Sequence, residues 1–141
     1  MREILFRGKC NEVGKYNGQW IEGFYGEDDG KPIIARSTDH GLIGYFCEPD
    51  SIGQYTGLTD KNGTRVFEGD ILKIIHKYQS PFDDDTNEYT DIATDVVHFD
   101  DEGLCFFYGK SPFLCVVDNV TAEYEVIGNI YDNPELPEVK E

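Results

Sequence analysis

Short apolar runs separated by glycine, asparagine and aspartate constrain this chain more than any other feature of its sequence. One run places Trp20, Glu22 and Phe24 on one side and Ile21 and Tyr25 on the other. A period of two is typical of a β-strand, in which alternate side chains point to opposite faces. Further runs of this kind are REILFRGK, IIAR, GLIGYFCE, DILKIIHKY, IATDVVHF, LCFFYG and EYEVIGNIY, and only SPFLCVVDNVTAE could hold a helical turn. The pattern predicts a mainly β fold with little helix, in the form of a small barrel with an attached sheet.

The densest cluster of turn-forming residues is the stretch GQYTGLTDKNGTRVFEGD. Asn62 and Gly63 predict a type I′ hairpin turn, because both tolerate the positive φ angles that this turn requires. Gly69 allows a sharp bend before the next strand, and Asp70 can bridge that bend. A functional interpretation needs an exposed nucleophile, a base or an anion nest, and only the backbone amides near Gly57 and Gly63 could supply a nest. We therefore interpret the stretch as a structural turn motif, made of Gly57, Asp60, Asn62, Gly63, Gly69 and Asp70.

The chain carries 28 acidic and 12 basic residues, which gives a formal net charge of −16. Such a surface repels phosphate backbones and anionic lipid head groups, so it argues against general nucleic-acid or membrane binding. No lysine or arginine occurs from Gln79 to Gly109, and acidic residues accumulate there. This segment serves either solubility alone or the binding of a basic partner, for instance by imitating nucleic acid. The second interpretation gives a candidate partner-binding acidic face of Asp83, Asp84, Asp85, Asp100, Asp101 and Glu102.

A competing class is direct nucleic-acid binding, which small β barrels achieve with aromatic and basic side chains. The segment up to Tyr16 is slightly basic, although the whole chain is acidic. One candidate patch comprises Tyr16, Trp20, Tyr25, Arg7, Lys9 and Lys15, and a second comprises Lys73, Lys77 and Tyr78.

Several segments resemble catalytic or ligand-binding motifs, but none has all the residues that its motif requires. The segment GLCFFYGKS resembles a phosphate-binding loop, but five residues separate its glycines where four are required, and Pro112 follows it. The acidic run DDDTNEYTDIAT lacks the turn glycine and the closing acid of an EF-hand, although weak cation binding by its first aspartates stays open. No nucleophile elbow, zinc-protease motif or dinucleotide fingerprint occurs. The sequence thus predicts no enzyme activity, no cofactor and no metal site.

The cysteines and histidines form no recognisable ligand pattern, since the four cysteines show no C-x-x-C spacing. His76 and His98 lie on predicted strands that could be neighbours, which leaves open a shared metal site or two ordinary strand positions. No apolar run approaches the roughly 18 residues that cross a bilayer, and the charged first residues do not resemble a signal peptide. We expect a soluble, intracellular protein, with reduced thiols that mostly fill the core.

Four sequence blocks resemble the YopX family, in the same order and with similar spacing. They are MREILFRG at the start, WIEGFY at 20–25, QYTGLTDKNGTRVFEGDIL at 54–72 and YEVIGNIYDNPEL at 124–136. YopX-like proteins are small proteins encoded by bacteriophages and prophages, mostly of Gram-positive hosts. The resemblance implies a single domain over 1–141, with an N-terminal β lobe at 1–56 and an SH3-like barrel lobe at 57–141. No activity, cofactor or catalytic residue accompanies the family.

Resemblance and charge together favour a non-catalytic accessory protein of a phage or prophage that acts by protein–protein contact through an acidic surface. A basic host or phage protein is the partner that the charge favours. The alternative is a small-barrel protein that binds single- or double-stranded DNA. An enzyme is the least favoured class: EGDILKI resembles the entry strand of SH3-like toxin ribonucleases, but the Arg-Pro of their later strand is absent. The oligomeric state stays open.

Overall fold

The computed structural model describes residues 4–79, 88–100, 105–108, 111–112 and 122–136. Antiparallel β-sheet dominates these residues, and their helical structure is limited to short 3₁₀ turns such as Pro49–Ser51. The prediction of a mainly β fold with little helix is confirmed. The chain divides into two compact units, Met1–Leu58 and Thr59–Glu141.

The first unit contains five strands of one sheet, which are β1 (Phe6–Lys9), β2 (Trp20–Asp28), β3 (Lys31–Thr38), β4 (Gly41–Phe46) and β5 (Gly53–Thr59). Their order across the sheet is β4-β3-β2-β1-β5, and every neighbouring pair is antiparallel. Phe6 pairs with Gly23 between β1 and β2, and Phe24 pairs with Ala35 between β2 and β3. A Cβ atom at Gly23 would lie 2.1 Å from the carbonyl oxygen of Ala35, so this close approach of strands requires glycine.

The turn between β2 and β3 consists of Asp29 and Gly30, and both have positive φ angles, of 55° and 76°. Asp28 pairs with Lys31 directly beneath them. Two central residues with positive φ define a type I′ turn, whose twist matches that of the flanking strands. The run EDDGK therefore folds into a tight hairpin.

One face of this sheet is covered by the hydrophobic core of the first unit. The buried side chains are Cys10, Ile21, Ile34, Tyr45 and Cys47, and Phe6, Tyr16 and Ile52 pack against them. Cys10 and Cys47 face each other across an isolated antiparallel bridge, and both thiols are free. Asn11 N–H donates to the Phe46 carbonyl and Glu48 N–H donates to the Lys9 carbonyl. The two cysteines thus form a non-hydrogen-bonded pair, the kind in which opposed side chains approach most closely.

The second unit contains β6 (Arg65–Phe67), β7 (Asp70–Gln79), β8 (Glu88–Asp100), β9 (Cys105–Tyr108), β10 (Ser111–Pro112) and β11 (Ala122–Asn129). Five of these strands form an antiparallel sheet in the order β10-β9-β8-β7-β11. Within the described ranges this sheet is open, because its edge strands β10 and β11 do not pair with each other. The SH3-like barrel therefore stays a prediction.

The strand β7 supplies the buried centre of this second sheet. Ile71 and Leu72 are fully buried and Ile74 nearly so, as the apolar run DILKII predicts. Val97 of β8 and two residues of β6, Val66 and Phe67, are buried as well. The register of β7 with β11 shifts between Val126 and Gly128, which marks a β-bulge.

Candidate functional site

The predicted acidic face lies almost entirely outside the described residues. Asp83, Asp84, Asp85, Asp101 and Glu102 belong to segments that the structure does not describe. Asp100 is the last residue of β8, where its backbone pairs with Cys105. The acidic face as a whole stays a prediction.

The turn motif is organised around the carboxylate of Asp60, which is only 6% exposed. Its Oδ1 accepts hydrogen bonds from the backbone N–H groups of Asn62, at 2.8 Å, and Thr64, at 2.9 Å. Its Oδ2 accepts the backbone N–H of Val126 on β11, at 2.9 Å. One buried side chain therefore holds the turn in shape and fastens it to the last strand of the second unit.

The protonation of Asp60 follows from these contacts. Burial raises the pKa of this carboxyl, but the N–H groups of Val126, Thr64 and Asn62 and the charge of Lys61 lower it more. The pKa therefore lies below its ordinary value, because hydrogen bonds to the ionised form favour that form. Lys61 also forms an ion pair with Glu123 of β11, at 3.8 Å.

The predicted type I′ turn at Asn62 and Gly63 is wrong. Gly63 has a φ of 84°, but Asn62 does not have a positive φ. Gly63 N–H donates to the Asp60 carbonyl at 3.0 Å, and Asp60 N–H donates to the Thr64 carbonyl at 2.8 Å. This pattern is a type I turn followed by a left-handed glycine. The side chain of Asp60 favours it, since the carboxylate collects the N–H groups of this turn.

The other members of the turn motif shape the backbone on either side. Gly57 and Gly69 have φ angles of 91° and 94°, which favour glycine. Asp70 is 1% exposed, and its Oδ2 accepts the Phe67 N–H at 2.7 Å, so its side chain bridges the bend before β7. The carboxylates of Asp60 and Asp70 thus both accept backbone N–H groups that fix the course of the chain.

The first candidate nucleic-acid patch is divided between the two faces of the first unit's sheet. Tyr16 packs against Tyr45 of the core, with ring centroids 5.2 Å apart. Trp20 precedes the buried Ile21 on β2, so its side chain points to the opposite face. The second candidate patch, Lys73, Lys77 and Tyr78, lies along β7. The six residues of the first patch thus do not form one continuous surface.

Trp20 nevertheless forms a compact cationic and aromatic group with two basic side chains of β1. The Arg7 guanidinium carbon lies 4.7 Å from the Trp20 ring centroid, and the Lys9 ammonium lies 5.8 Å from it. Both distances are within the range of cation–π attraction. On the core side, Lys15 and Arg36 lie 5.3 and 5.1 Å from the Tyr16 ring. These four basic side chains therefore lie over aromatic rings of the same unit.

A cleft of about 360 Å³ opens on the first unit beside the β2–β3 hairpin. We call it the Tyr25 cleft, and it is lined by Phe6, Tyr25, Glu27, Gly30, Pro32, Pro49 and Ile52. The Phe6 and Tyr25 rings pack with their centroids 5.5 Å apart and an angle of 42° between their planes. Sequence reasoning missed this site, although Tyr25 and the acids of EDDG lie in one short run. A larger cleft of about 500 Å³ adjoins it, and both are lined by Pro32 and Pro49.

The hydroxyl group of Tyr25 connects the aromatic wall of this cleft to its carboxylate. Tyr25 Oη donates a hydrogen bond to Glu27 Oε2, at 3.1 Å. Burial, together with this hydrogen bond and the negative charge of Glu27, raises the pKa of Tyr25. The phenol therefore stays protonated and remains a donor at neutral pH.

The two strand histidines do not share a position in the second sheet. His76 pairs with Asp91 of β8, whereas His98 lies seven residues further along β8 and pairs with Phe107. Since a strand rises about 3.3 Å per residue, the two backbone positions are about 23 Å apart along the strands. A metal site shared by these two residues is thus ruled out by register.

Among the described residues, no group of three or more histidine, cysteine, aspartate or glutamate side chains could hold a metal ion. Within the same ranges, no helix combines the length and the apolar character that crossing a bilayer would require.

The family of this chain follows from its match to a family model. The model described as YopX protein matches residues 5–138. This chain belongs to the YopX family. The match confirms the resemblance carried by the four sequence blocks, and it includes the turn motif and the Tyr25 cleft.

A solved structure extends the comparison of this YopX-family chain to the fold. The crystal structure of protein EF1440 from Enterococcus faecalis is similar, with a TM-score of 0.54 and 24% sequence identity. The similarity covers 97% of this chain and 99% of that one, and at this identity it concerns the fold alone. No curated protein matches the sequence.

Proposed function

We propose that this YopX-family protein is a non-catalytic accessory protein of a phage or prophage. It acts in the bacterial cytoplasm by binding a basic protein of the host or the phage through an acidic surface. The net charge of −16 carries this proposal, because a charge of that size attracts basic surfaces and repels nucleic acid and anionic lipid.

The arrangement of charges in the first unit supports the same conclusion. Arg7 and Lys9 lie over the ring of Trp20, and Arg36 lies over the rings of Tyr16 and Tyr45. In contrast, the carboxylates of the β2–β3 hairpin are exposed, namely Glu27, Asp28 and Asp29. These three basic side chains thus contact aromatic rings of the protein itself, while the three carboxylates are exposed to solvent.

The test is capture of partners from a host lysate on the immobilised protein, followed by a titration of salt. We expect a basic protein to be retained at low salt and released as the ionic strength rises, because salt screens exposed charges. The same partner, once purified, should bind more slowly in higher salt, since steering acts on the association rate.

The variant Asp83→Asn/Asp84→Asn/Asp85→Asn addresses the acidic face directly. Its control carries Asp39→Asn, Asp50→Asn and Glu135→Gln, which remove the same number of charges from exposed positions elsewhere. Weaker binding of the first variant alone supports a localised acidic face. Binding that is indifferent to salt and to both variants would contradict the proposal.

Direct DNA binding is a second candidate, favoured by the group of Arg7, Lys9 and Trp20. Guanidinium and aromatic planes together can stack on an unpaired base. Fluorescence anisotropy with labelled single- and double-stranded DNA tests it, and Trp20, the only tryptophan, provides an intrinsic signal. Binding that the variant Arg7→Gln/Lys9→Gln abolishes would establish this function in place of the first.

A further inference from the structure

The Tyr25 cleft combines three features that suit a cationic side chain. Its walls are the rings of Phe6 and Tyr25 together with Ile52, so it can shield an aliphatic stem from water. Tyr25 is 43% exposed, which leaves part of its ring accessible within the cleft. Its rim carries the carboxylate of Glu27, which can accept hydrogen bonds from a charged head group.

The hydroxyl group of Tyr25 sets the position of the Glu27 carboxylate. The hydrogen bond from Tyr25 Oη occupies one acceptor site on Oε2. An ionised carboxylate offers about four acceptor sites, so Oε1 and the second lone pair of Oε2 can still accept. Glu27 also lies on the tight β2–β3 hairpin, whose type I′ turn restricts the backbone next to it.

The charge around the cleft selects the sign of its occupant. Glu27 lies on the same face of β2 as Tyr25 and lines the cleft, whereas Asp28 pairs with Lys31 and points to the opposite face. The Glu27 carboxylate repels an anionic group, and it attracts a cation in a protein whose net charge is −16. An aromatic ring adds to this attraction, because its face is electron-rich.

We propose that the Tyr25 cleft binds the side chain of an arginine or lysine presented by a basic protein partner. The aliphatic stem lies against Phe6, Tyr25 and Ile52, and the charged head lies between the Tyr25 ring and the Glu27 carboxylate. The inference rests on the proposed function, and it places one contact point of that function on the ordered β2–β3 hairpin.

The experiment is an NMR titration of the isotopically labelled protein with capped tri-arginine. Capped tri-glutamine, which has the same length and no charge, is the control peptide. We expect tri-arginine to shift the resonances of Phe6, Tyr25, Gly30 and Ile52 in a saturable manner. Tri-glutamine should leave these resonances in place.

Variants then separate the cleft from general charge attraction. Glu27→Gln should weaken tri-arginine binding about two- to fivefold, the range expected for one exposed ion pair. Tyr25→Leu should cost a similar factor, through the lost cation–π contact. Glu135→Gln removes an equal charge from an exposed site in the second unit and should change the affinity by less than about 1.5-fold. Because Tyr25→Leu also alters packing against Phe6, Glu27→Arg provides a second variant, which should abolish binding by repulsion.

The outcomes distinguish this inference from the proposed function. Equal losses for Glu27→Gln and Glu135→Gln, or shifts confined to residues outside the cleft, would overturn the cleft and leave the acidic contact intact. Saturable binding in the cleft, combined with a salt-insensitive partner, would support the cleft while contradicting the proposed function. The absence of any shift at millimolar tri-arginine overturns the inference by itself.

Discussion

Replacing Asp60 should destabilise the second unit by an amount that depends on how many N–H groups lose their acceptor. In Asp60→Asn, one oxygen can still accept from Asn62 and Thr64, but an amide NH₂ then faces the Val126 N–H. An unsatisfied buried donor costs about 1–3 kcal/mol, and the loss of charge weakens the two remaining bonds. We expect a free-energy loss of about 2–3 kcal/mol for this variant. Asp60→Ala leaves all three donors unpaired and should cost about 3–5 kcal/mol.

The assay must report on the second unit. Trp20 lies in the first unit, so its fluorescence is unsuitable, and urea unfolding followed by circular dichroism and amide hydrogen exchange is preferable. The exchange protection of the Val126 and Thr64 amides should fall most. Asp39→Asn is the control, because Asp39 is exposed and its replacement should stay within about 0.5 kcal/mol.

The ionisation of Asp60 predicts that the stability of the second unit depends on pH. Because the pKa of Asp60 is lowered in the folded state, its stabilising effect is fully present above the unfolded value of about 3.9. That effect is lost as the pH falls through the folded pKa, so the difference between wild type and Asp60→Asn should shrink below about pH 4. A loss in Asp60→Asn no larger than in Asp39→Asn, or unchanged protection of the Val126 amide, would refute the reasoning.

Four further predictions concern the backbone and the thiols. Gly23→Ala should lower the free energy of unfolding, monitored by Trp20 fluorescence, by about 3 kcal/mol, because the added Cβ meets the Ala35 carbonyl. Gly26→Ala is the control and should be nearly neutral, because the nearest atom to its Cβ is Ile33 Cγ1 at 3.6 Å. Equal effects of the two variants would argue against the close approach of Gly23 to Ala35. Gly63→Ala should cost about 1–2 kcal/mol from its positive φ alone, since the space around it is open, and a neutral result in urea unfolding would contradict that φ. Burial and then the neighbouring Cys10 raise the pKa of Cys47 to about 11, so alkylation should be slow at pH 7 and accelerate only at strongly alkaline pH. Rapid alkylation at pH 7 would show that the thiols are not buried. Oxidation of Cys10 and Cys47 to a disulfide with excess diamide should raise the free energy of unfolding by about 4 kcal/mol relative to the reduced protein.

Local patterns predicted the elements of this fold better than they predicted its turns. The run DILKII indicates a buried strand by composition alone, and β7 is one. Asn62-Gly63 and Asp29-Gly30 carry similar turn signals, but only the second forms a type I′ turn. The difference comes from Asp60, whose carboxylate collects the N–H groups of the turn and that of Val126. The hydrogen bond from Val126, 66 residues away, leaves no local signal in the sequence.

The Tyr25 cleft could not be predicted from the sequence, because its residues come from separate parts of the chain. Phe6 lies on β1, Tyr25 on β2, and Ile52 follows the 3₁₀ turn before β5, so only the sheet brings them together. Each of them fits an apolar strand pattern when considered alone. The acidic face was visible as a run of charges, but a charge run specifies composition and not geometry.

The hydrogen bond between Val126 and Asp60 also imposes an order on folding during synthesis. The two residues are 66 positions apart, so at about 5–20 residues per second the ribosome needs about 3–13 s to deliver the donor after the acceptor. The five strands of the first unit are complete in sequence by Thr59 and can pair during that interval. Until β11 emerges, one edge of β7 has no partner strand, and Oδ2 of Asp60 is hydrated in place of its hydrogen bond from Val126. The nascent second unit therefore passes through a stage with an open strand edge, when a chaperone or a neighbouring chain can pair with it.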